Sequence, residues 1–336
     1  MGSGDGREPR ETMKPGIKPS FRRILTELEG DAVVLSPVPP FDFDLSASIF
    51  SGGDPRIRSY REGAFRQVIR AKGHLVLVTV TSGGSVDNPK VRVGVRPAPV
   101  PPGVLKAAGQ AVASLLNLGL DLSPFFAAVR DDPVMSALAR RLRGLKPPRT
   151  ATVFEALVDS VIEQQISLTA ARSIEERFIL AFGDPLGVEG TTFHAFPPPE
   201  RLADASPGEL RTCGLSGKKA EYILGISRMV REGALDLEHH GPGEDTAALI
   251  RELSVLRGVG VWTAELALLR GLSRLDAIPA DDLGIRRAIS RYYSRKSRID
   301  GGVHDLARRE PPAPLVSGHC HHSRRDRGIF IRARRG

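Results

Sequence analysis

The sequence has little of what builds disulfide frameworks, membrane spans or secretory leaders. Only two of its 336 residues are cysteines, Cys213 and Cys320. They are too few for a disulfide framework or a cysteine-rich metal cluster, and they suit a reducing compartment. No apolar run approaches the roughly 20 residues of a membrane-spanning helix, and the polar, glycine-rich start lacks the apolar core of a secretory signal. We therefore expect a cytoplasmic monomer with no membrane partner.

Negative charge is also in short supply, with 39 Asp and Glu against 48 Lys and Arg, which leaves a formal net charge of +9. Such an excess favours a polyanionic partner such as nucleic acid, although many basic proteins bind none. The length is sufficient for two or three domains with separate hydrophobic cores.

The residue pattern divides the chain into four parts. Residues 1–30 lack periodicity and are expected to be disordered. Residues 31–118 predict an α+β domain, because they contain β-rich runs such as residues 75–80 and end in a helix. Residues 119–310 predict an α-helical region. Residues 311–336 are basic and Pro- and His-containing, lack a core-building pattern and are expected to be disordered.

The most informative segment is a helix that enters the tight turn Gly258-Val259-Gly260, from which a second helix leaves. Glycines permit positive φ and a close backbone approach, so successive amides can face a phosphate at a helix N-terminus. A corner between two helices that binds nothing would have the same pattern. Asp281 and Asp282 follow after a short loop. Either could cap the next helix, or could offer a carboxylate to a substrate that the phosphate contact positions.

The turn, Trp262 and residues 279–283 together resemble the helix-hairpin-helix DNA glycosylase superfamily, and within it the 3-methyladenine DNA glycosylase II branch. The resemblance covers roughly residues 118–309. It includes five further stretches in the same order, namely residues 120–126, 131–134, 143–149, 157–167 and 214–222. It implies an α+β protein, with an N-terminal antiparallel sheet and helices followed by all-α helix-hairpin-helix glycosylase domains.

The resemblance also implies a function in base-excision repair. Such a DNA glycosylase hydrolyses the N-glycosidic bond of alkylated purines in duplex DNA and leaves an abasic site. Double-stranded DNA that contains damaged bases would be the partner, in the cytoplasm at the nucleoid. Lyase members of the superfamily carry a Lys at the position of Trp262, so the chain is expected to be monofunctional, without strand cleavage. A glycosylase for oxidised or deaminated bases is one alternative.

The resemblance assigns the catalytic carboxylate to Asp282 and a structural role to Asp281. It places Trp262 at the substrate pocket, although a Trp on an amphipathic helix is commonly a core residue. Gln165 corresponds to the residue that fills the gap left by the extruded nucleotide, or is a solvated residue at a helix end. Leu266 stands where a pocket aromatic occurs in this branch.

DNA contacts are expected from the backbone of Gly258, Val259 and Gly260. Lys218 and Lys219 could contact phosphate, or form an ordinary solvated face. No cofactor is required. The resemblance also implies a structural monovalent or divalent cation at the turn, bound through the backbone carbonyls of Ser254, Arg257 and Val259.

The C-terminal part departs from the resemblance. The aromatic-rich closing helix of the family is absent after residues 307–309, and from Pro311 the sequence is unrelated. A non-catalytic DNA-binding protein, inactivated by loss of that helix, is therefore the alternative from another functional class. The cluster His319, Cys320, His321 and His322 has no second group of ligands at zinc-finger spacing, so zinc is not expected.

Overall fold

An antiparallel sheet dominates the first hundred residues. The computed structural model describes residues 20–21, 24–240 and 244–293. Six strands pair in the spatial order β2-β3-β7-β6-β5-β4, and every pairing is antiparallel. The strands of this part of the chain are β1 (Ser20–Phe21), β2 (Leu25–Glu29), β3 (Ala32–Ser36), β4 (Arg58–Arg61), β5 (Ala64–Ala71), β6 (His74–Ser85) and β7 (Asn88–Arg96).

One helix supplies most of the cover for this sheet. Between β3 and β4 lie α1 (Phe43–Ala47) and a 3-10 turn (Ser48–Phe50), and α2 (Pro102–Leu115) follows β7. The buried residues of α2 share a hydrophobic cluster with the inward side chains of β3 and β7. Gly109 allows the close approach, since a Cβ there would lie 2.8 Å from the side chain of Val33. β1 pairs with β8 (Leu120–Asp121), beyond α2.

The rest of the described chain is mainly helical. Its helices are α3 (Ser123–Ala128), α4 (Pro133–Arg141), α5 (Val153–Glu163), α6 (Leu168–Phe182), α7 (Pro199–Ala203), α8 (Pro207–Thr212), α9 (Gly217–Arg231), α10 (Thr246–Leu253), α11 (Val261–Leu272) and α12 (Leu283–Tyr293). Helix α5 is the centre of this region, because all of its residues from Val153 to Ile162 are buried. Helix α11 packs closely against it, and a Cβ on Gly271 would lie 3.0 Å from the Cα of Val153.

The fold class is therefore confirmed, and two details of the prediction are wrong. Residues 25–29 form strand β2 instead of a disordered segment, because backbone hydrogen bonds to β3 hold this edge strand without requiring a periodic pattern. The region predicted to be entirely helical contains the hairpin of β9 (Asp184–Val188) and β10 (Thr191–Ala195). Its side chains Val188 and Ala195 pack against Val68 and Leu77 of the sheet, so the hairpin shields apolar surface there.

Several sequence-based expectations lie outside the described residues. They include the disorder of residues 1–19 and of the segment 311–336, and the histidine cluster around Cys320. Among the described helices, none has the length and apolar character that crossing a membrane requires.

Candidate active site and nucleic-acid interface

The Gly258–Gly260 turn joins α10 to α11 in a tight corner, as the sequence predicted. Val259 donates its backbone N–H to the carbonyl of Leu256 at 3.0 Å. Gly258 has a φ of +89°, and a Cβ on it would lie 2.1 Å from the ring of Tyr222. Only glycine fits this position, because a side chain would be strained by the backbone and blocked by the aromatic ring.

Gly260 differs from Gly258. It caps α11 in an extended conformation, with φ −90° and ψ 175°, and no side chain makes a capping hydrogen bond there. A Cβ on Gly260 would meet no atom within 4 Å. The first amides of α11 are therefore not capped by a side chain and carry the positive end of the helix dipole, which is the chemistry that binds a phosphate.

The turn is flanked by exposed side chains. Val255 is 85% exposed and Val261 is 56% exposed. The Arg257 guanidinium lies 5.7 Å from the centre of the Tyr222 ring and 3.1 Å from a carboxylate oxygen of Glu221. Tyr222 is thus packed between Gly258 and Arg257, which makes it a supporting residue of the turn.

Asp282 lies at the start of α12, half-buried. Its Oδ1 accepts hydrogen bonds from the backbone N–H groups of Gly284 at 2.8 Å and Ile285 at 3.0 Å. Helix capping was one of the two roles that the sequence allowed, and Asp282 does perform it. Both bonds go to Oδ1, so neither of them uses Oδ2, and capping holds the carboxylate in a defined orientation. Asp281 is 91% exposed in its side chain and lies 4.0 Å from Arg286.

Two acidic residues that the sequence analysis missed lie within electrostatic reach of this acidic pair. Glu265, on α11, has a pKa raised by burial and by the charge of Asp281. Burial also raises the pKa of Glu163 at the end of α5, partly offset by the adjacent Arg270, and the charge of Asp282 adds to the increase. Asp281 and Asp282 therefore lie within electrostatic reach of Glu265 and Glu163, respectively.

Trp262 and Leu266 lie one turn apart on α11. Trp262 is half-buried and is not among the described residues that form the core of the helical region. Trp262 is therefore outside the described core of the helical region, and its place at a substrate pocket stays a prediction. Leu266 is only 2% exposed, so it is packed within the protein and does not line an open surface.

Gln165 lies in the connection between α5 and α6. Its φ is +57°, which is uncommon for a residue other than glycine, and its side chain is exposed. Ser167 caps α6 by accepting a hydrogen bond from the N–H of Ala170. Ile166, which lies between Gln165 and Ser167, is 37% exposed. Residues 164–166, called the Gln165 turn below, thus present a polar and an apolar side chain together.

The two neighbouring lysines have different environments. Lys218 is exposed. The ammonium group of Lys219 instead donates to the carbonyls of Ile162 at 2.8 Å and Gln164 at 2.6 Å. Burial lowers the pKa of Lys219. Two of the three N–H donors of the Lys219 ammonium are thus used at the end of α5, and the phosphate contact of this residue stays a prediction.

A buried ionic network runs along α5. Its carboxylates Glu155, Asp159 and Glu163 are spaced four residues apart. Arg270 of α11 forms a paired contact with Glu163, at 2.8 and 3.0 Å, and Arg58 of β4 lies 3.6 Å from Glu155. This network connects β4 to α5, and α5 to α11.

Burial raises the pKa of two carboxyl groups of this network. Burial raises the pKa of Glu155 to about 7, and it raises the pKa of Asp159 well above its ordinary value, with the charges of Glu175 and Glu155 adding to the effect. One oxygen of Asp159 is buried without a hydrogen-bond partner within the described part of the chain.

The predicted cation ligands lie on the approach to α11. Within the described residues, no backbone hydrogen bond outside regular helices and strands ends on the carbonyls of Ser254, Arg257 or Val259. The Ser254 hydroxyl is also buried without a described partner. Uncommitted oxygens of this kind are suitable ligands for a hard cation.

Comparisons with known proteins agree with this geometry. Residues 158–306 match the family model of the HhH-GPD superfamily base excision DNA repair proteins. The chain is 37% identical over 186 residues to a DNA-3-methyladenine glycosylase of Bacillus subtilis, covering 55% of this chain and 61% of that protein. It is 31% identical over 162 residues to DNA-3-methyladenine glycosylase 1 of Schizosaccharomyces pombe, covering 48% and 67%.

The architecture is similar to a solved structure as well. The 3-methyladenine DNA-glycosylase from Archaeoglobus fulgidus superposes with a TM-score of 0.67 and 26% identity, over 82% of this chain and 91% of that one. The chain spans less than two thirds of the Bacillus subtilis relative. Its match to the family model lies in the helical region that contains the turn and Asp282. The fold, the turn and the matched segments together show that the chain belongs to the helix-hairpin-helix superfamily of base excision DNA repair proteins.

Proposed function

We propose that this protein is a monofunctional DNA glycosylase that removes alkylated purines of the 3-methyladenine type from duplex DNA. Double-stranded DNA with damaged bases is its partner, and the product is an abasic site. The protein acts as a monomer, in the cytoplasm. The names of its relatives support this activity. The observation that carries it is Asp282, a half-buried acid oriented by its own helix. Its charge reaches Glu163 at the end of α5, and the next residue, Gln164, is hydrogen-bonded to the turn suited to phosphate.

The turn provides the grip on DNA. Backbone amides at the start of α11 contact a phosphate without reading the sequence of bases, which suits an enzyme that must examine any site. The net charge of +9 favours the approach to DNA at low salt. Extrusion of the damaged nucleotide costs a few kcal/mol, and less for a damaged pair than for an intact one. Gln165 fills the gap that the nucleotide leaves.

Asp282 provides the charge for hydrolysis. Cleavage of the N-glycosidic bond places positive charge on the deoxyribose, and an ionised carboxylate stabilises that charge while it orients water. An alkylated purine is cationic and already a good leaving group, so it needs little acid assistance. The face of Trp262 can hold the cation, with a contribution of about 0.5–2 kcal/mol. Without an amine at position 262, no Schiff base forms and the DNA strand stays intact.

The reaction itself requires no cofactor. We propose that the carbonyls of Ser254, Arg257 and Val259 hold a monovalent or divalent cation, which would stiffen the turn. The cation would take no part in bond cleavage. Its test is thermal stability in the presence of K⁺, Na⁺ or Mg²⁺ against a bulky organic cation at equal ionic strength, where equal melting temperatures in all four salts would refute the site.

The test of the activity is base release from methylated duplex DNA, measured by chromatography, together with a gel for strand cleavage. We expect free 3-methyladenine, alkali-labile abasic sites and no nicking before alkali treatment. Release of an oxidised or deaminated base from a panel of lesion duplexes, without 3-methyladenine, would replace the substrate class. Salt-sensitive binding to duplex without release of any base would identify a non-catalytic DNA-binding protein.

A further inference from the structure

A short chain of hydrogen bonds links the Gln165 turn to the Gly258–Gly260 turn. The side-chain amide of Gln164 donates to the carbonyl of Gly258 at 2.8 Å and to the hydroxyl of Thr263 at 2.9 Å. The carbonyl of the same residue accepts from the Lys219 ammonium at 2.6 Å. The end of α5, helix α9 and the segment that forms the turn, which are far apart in sequence, therefore meet at Gln164.

Lys219 closes the end of α5. The last carbonyls of a helix have no partner within it and carry the negative end of the helix dipole, so an ammonium group stabilises them. Lys219 contacts two of these carbonyls, those of Ile162 and Gln164. Its own position is fixed by α9, whose N-cap Ser216 accepts a hydrogen bond from the Lys219 backbone N–H at 3.3 Å. The helix end is therefore held from outside.

The consequence concerns the backbone of Gln165. This residue adopts a left-handed conformation, with φ +57°, that a residue other than glycine rarely holds without support. Its neighbour Gln164 is held at its carbonyl by Lys219 and at its side chain by Gly258 and Thr263. The support for this residue thus comes partly from α9 and partly from the segment that forms the turn suited to phosphate.

We propose that Gln164 and Lys219 are positioning residues that hold the gap-filling Gln165 turn at a fixed place relative to the phosphate-binding turn. Neither touches the base or the sugar. Together they ensure that a protein which grips the strand at α11 also presents Gln165 to the gap beside it. The proposal rests on the proposed function, since it assigns a task to two residues of that same site.

The test variants remove a hydrogen-bond donor from Lys219 or Gln164 and keep a side chain of similar size. Lys219→Met and Gln164→Met each replace a hydrogen-bond donor with an apolar chain of similar length. Lys219→Arg keeps a cation that can reach the same carbonyls. Lys90→Met is the matched control, because Lys90 is an exposed residue of β7 in the N-terminal sheet.

The assay uses a duplex with a tetrahydrofuran abasic analogue next to 2-aminopurine, whose fluorescence rises when its stacking is disturbed by insertion into the gap. Affinity for the duplex, melting temperature and the single-turnover rate of base release are measured in parallel. We expect Lys219→Met and Gln164→Met to bind the duplex within about threefold of the unchanged protein, because the amides of α11 are intact. The fluorescence change should fall by more than half, and base release should slow by roughly tenfold or more, since misplaced groups lose rate steeply.

Rescue separates positioning from general support of the fold. Lys219→Arg should restore most of the fluorescence change, and Lys90→Met should match the unchanged protein throughout. If Lys219→Met does not fold, Gln164→Met still tests the link to Gly258, because it leaves the ammonium contacts at the end of α5 in place. Full fluorescence change and full rate in folded Gln164→Met and Lys219→Met would overturn the proposal.

The abasic analogue has no base to release, so this assay does not depend on the reaction. A fluorescence change without release of alkylated bases would refute the proposed function and leave the positioning role standing. Normal base release with a fluorescence change that neither variant alters would refute the positioning role alone. If the unchanged protein itself causes no fluorescence change, the positioning role is also refuted.

Discussion

Replacing Gly258 with alanine should damage the fold at the turn, and the structure gives a magnitude. The new Cβ would be placed 2.1 Å from the Tyr222 ring, far inside ordinary contact, and the backbone φ of +89° disfavours any side chain. The backbone strain costs about 1–2 kcal/mol, and forcing the ring aside adds about 1–3 kcal/mol as in other overpacked sites. We therefore expect a loss of about 2–5 kcal/mol in the free energy of unfolding.

Gly260→Ala is the matched control. A Cβ on Gly260 meets nothing within 4 Å and its φ is −90°, so only the weaker capping preference of alanine is lost, about 0.5–1 kcal/mol. Thermal unfolding by circular dichroism should show Gly258→Ala melting at least about 4 °C lower, given about 2–4 °C per kcal/mol for a domain of this size. Gly260→Ala should melt near the unchanged protein and lose affinity for duplex DNA, because its methyl group would stand where the phosphate approaches. Equal melting temperatures for the two variants would refute the packing argument.

Three further predictions concern the buried network and the pocket. The pKa of Asp159 is roughly 4 in the unfolded chain and is raised in the folded state, so between these two pKa values the folded protein keeps a proton that the unfolded chain has lost. The Asp159 carboxyl therefore lowers the free energy of unfolding increasingly as the pH rises through that window. Denaturant titrations should therefore show that the free energy of unfolding of Asp159→Asn rises relative to that of the unchanged protein between pH 4 and pH 8. A difference that does not change with pH would contradict this. Arg270→Met should lower the free energy of unfolding by about 3–5 kcal/mol, because it leaves Glu163 buried without its cation, and a loss below 1 kcal/mol would show that the pair is dispensable. Trp262 is the only tryptophan, so intrinsic fluorescence should respond to a duplex with a lesion and not to an undamaged duplex, and identical responses would exclude a pocket role.

Local signals in the sequence predicted the parts of the site that depend on local geometry. The glycines of the turn and the acid before α12 act within a few residues of themselves, and each lies where the sequence predicted. The capping box of Ser206 and Glu209 is a local feature of the same kind, because its two residues are only three positions apart.

Contacts between distant segments could not be read from the sequence. Lys218 and Lys219 look equivalent as a pair, and only the fold shows that one of them reaches the end of α5, more than fifty residues away along the chain. The pairing of Arg270 with Glu163 is equally hidden. A charge spacing of four on an apolar helix was the available signal for the network, because ionised groups on a buried helix require partners.

The central claim is that Asp282 stabilises the charge on the sugar, and single-turnover base release by Asp282→Asn tests it most directly. Asparagine caps a helix as well as aspartate does, so the variant should fold and bind duplex DNA normally. We expect its rate to fall by about 100-fold or more at saturating protein, as when a preorganised electrostatic group is removed, while Asp281→Asn stays within about threefold of the unchanged protein. Equal rates for Asp282→Asn and the unchanged protein would contradict the mechanism.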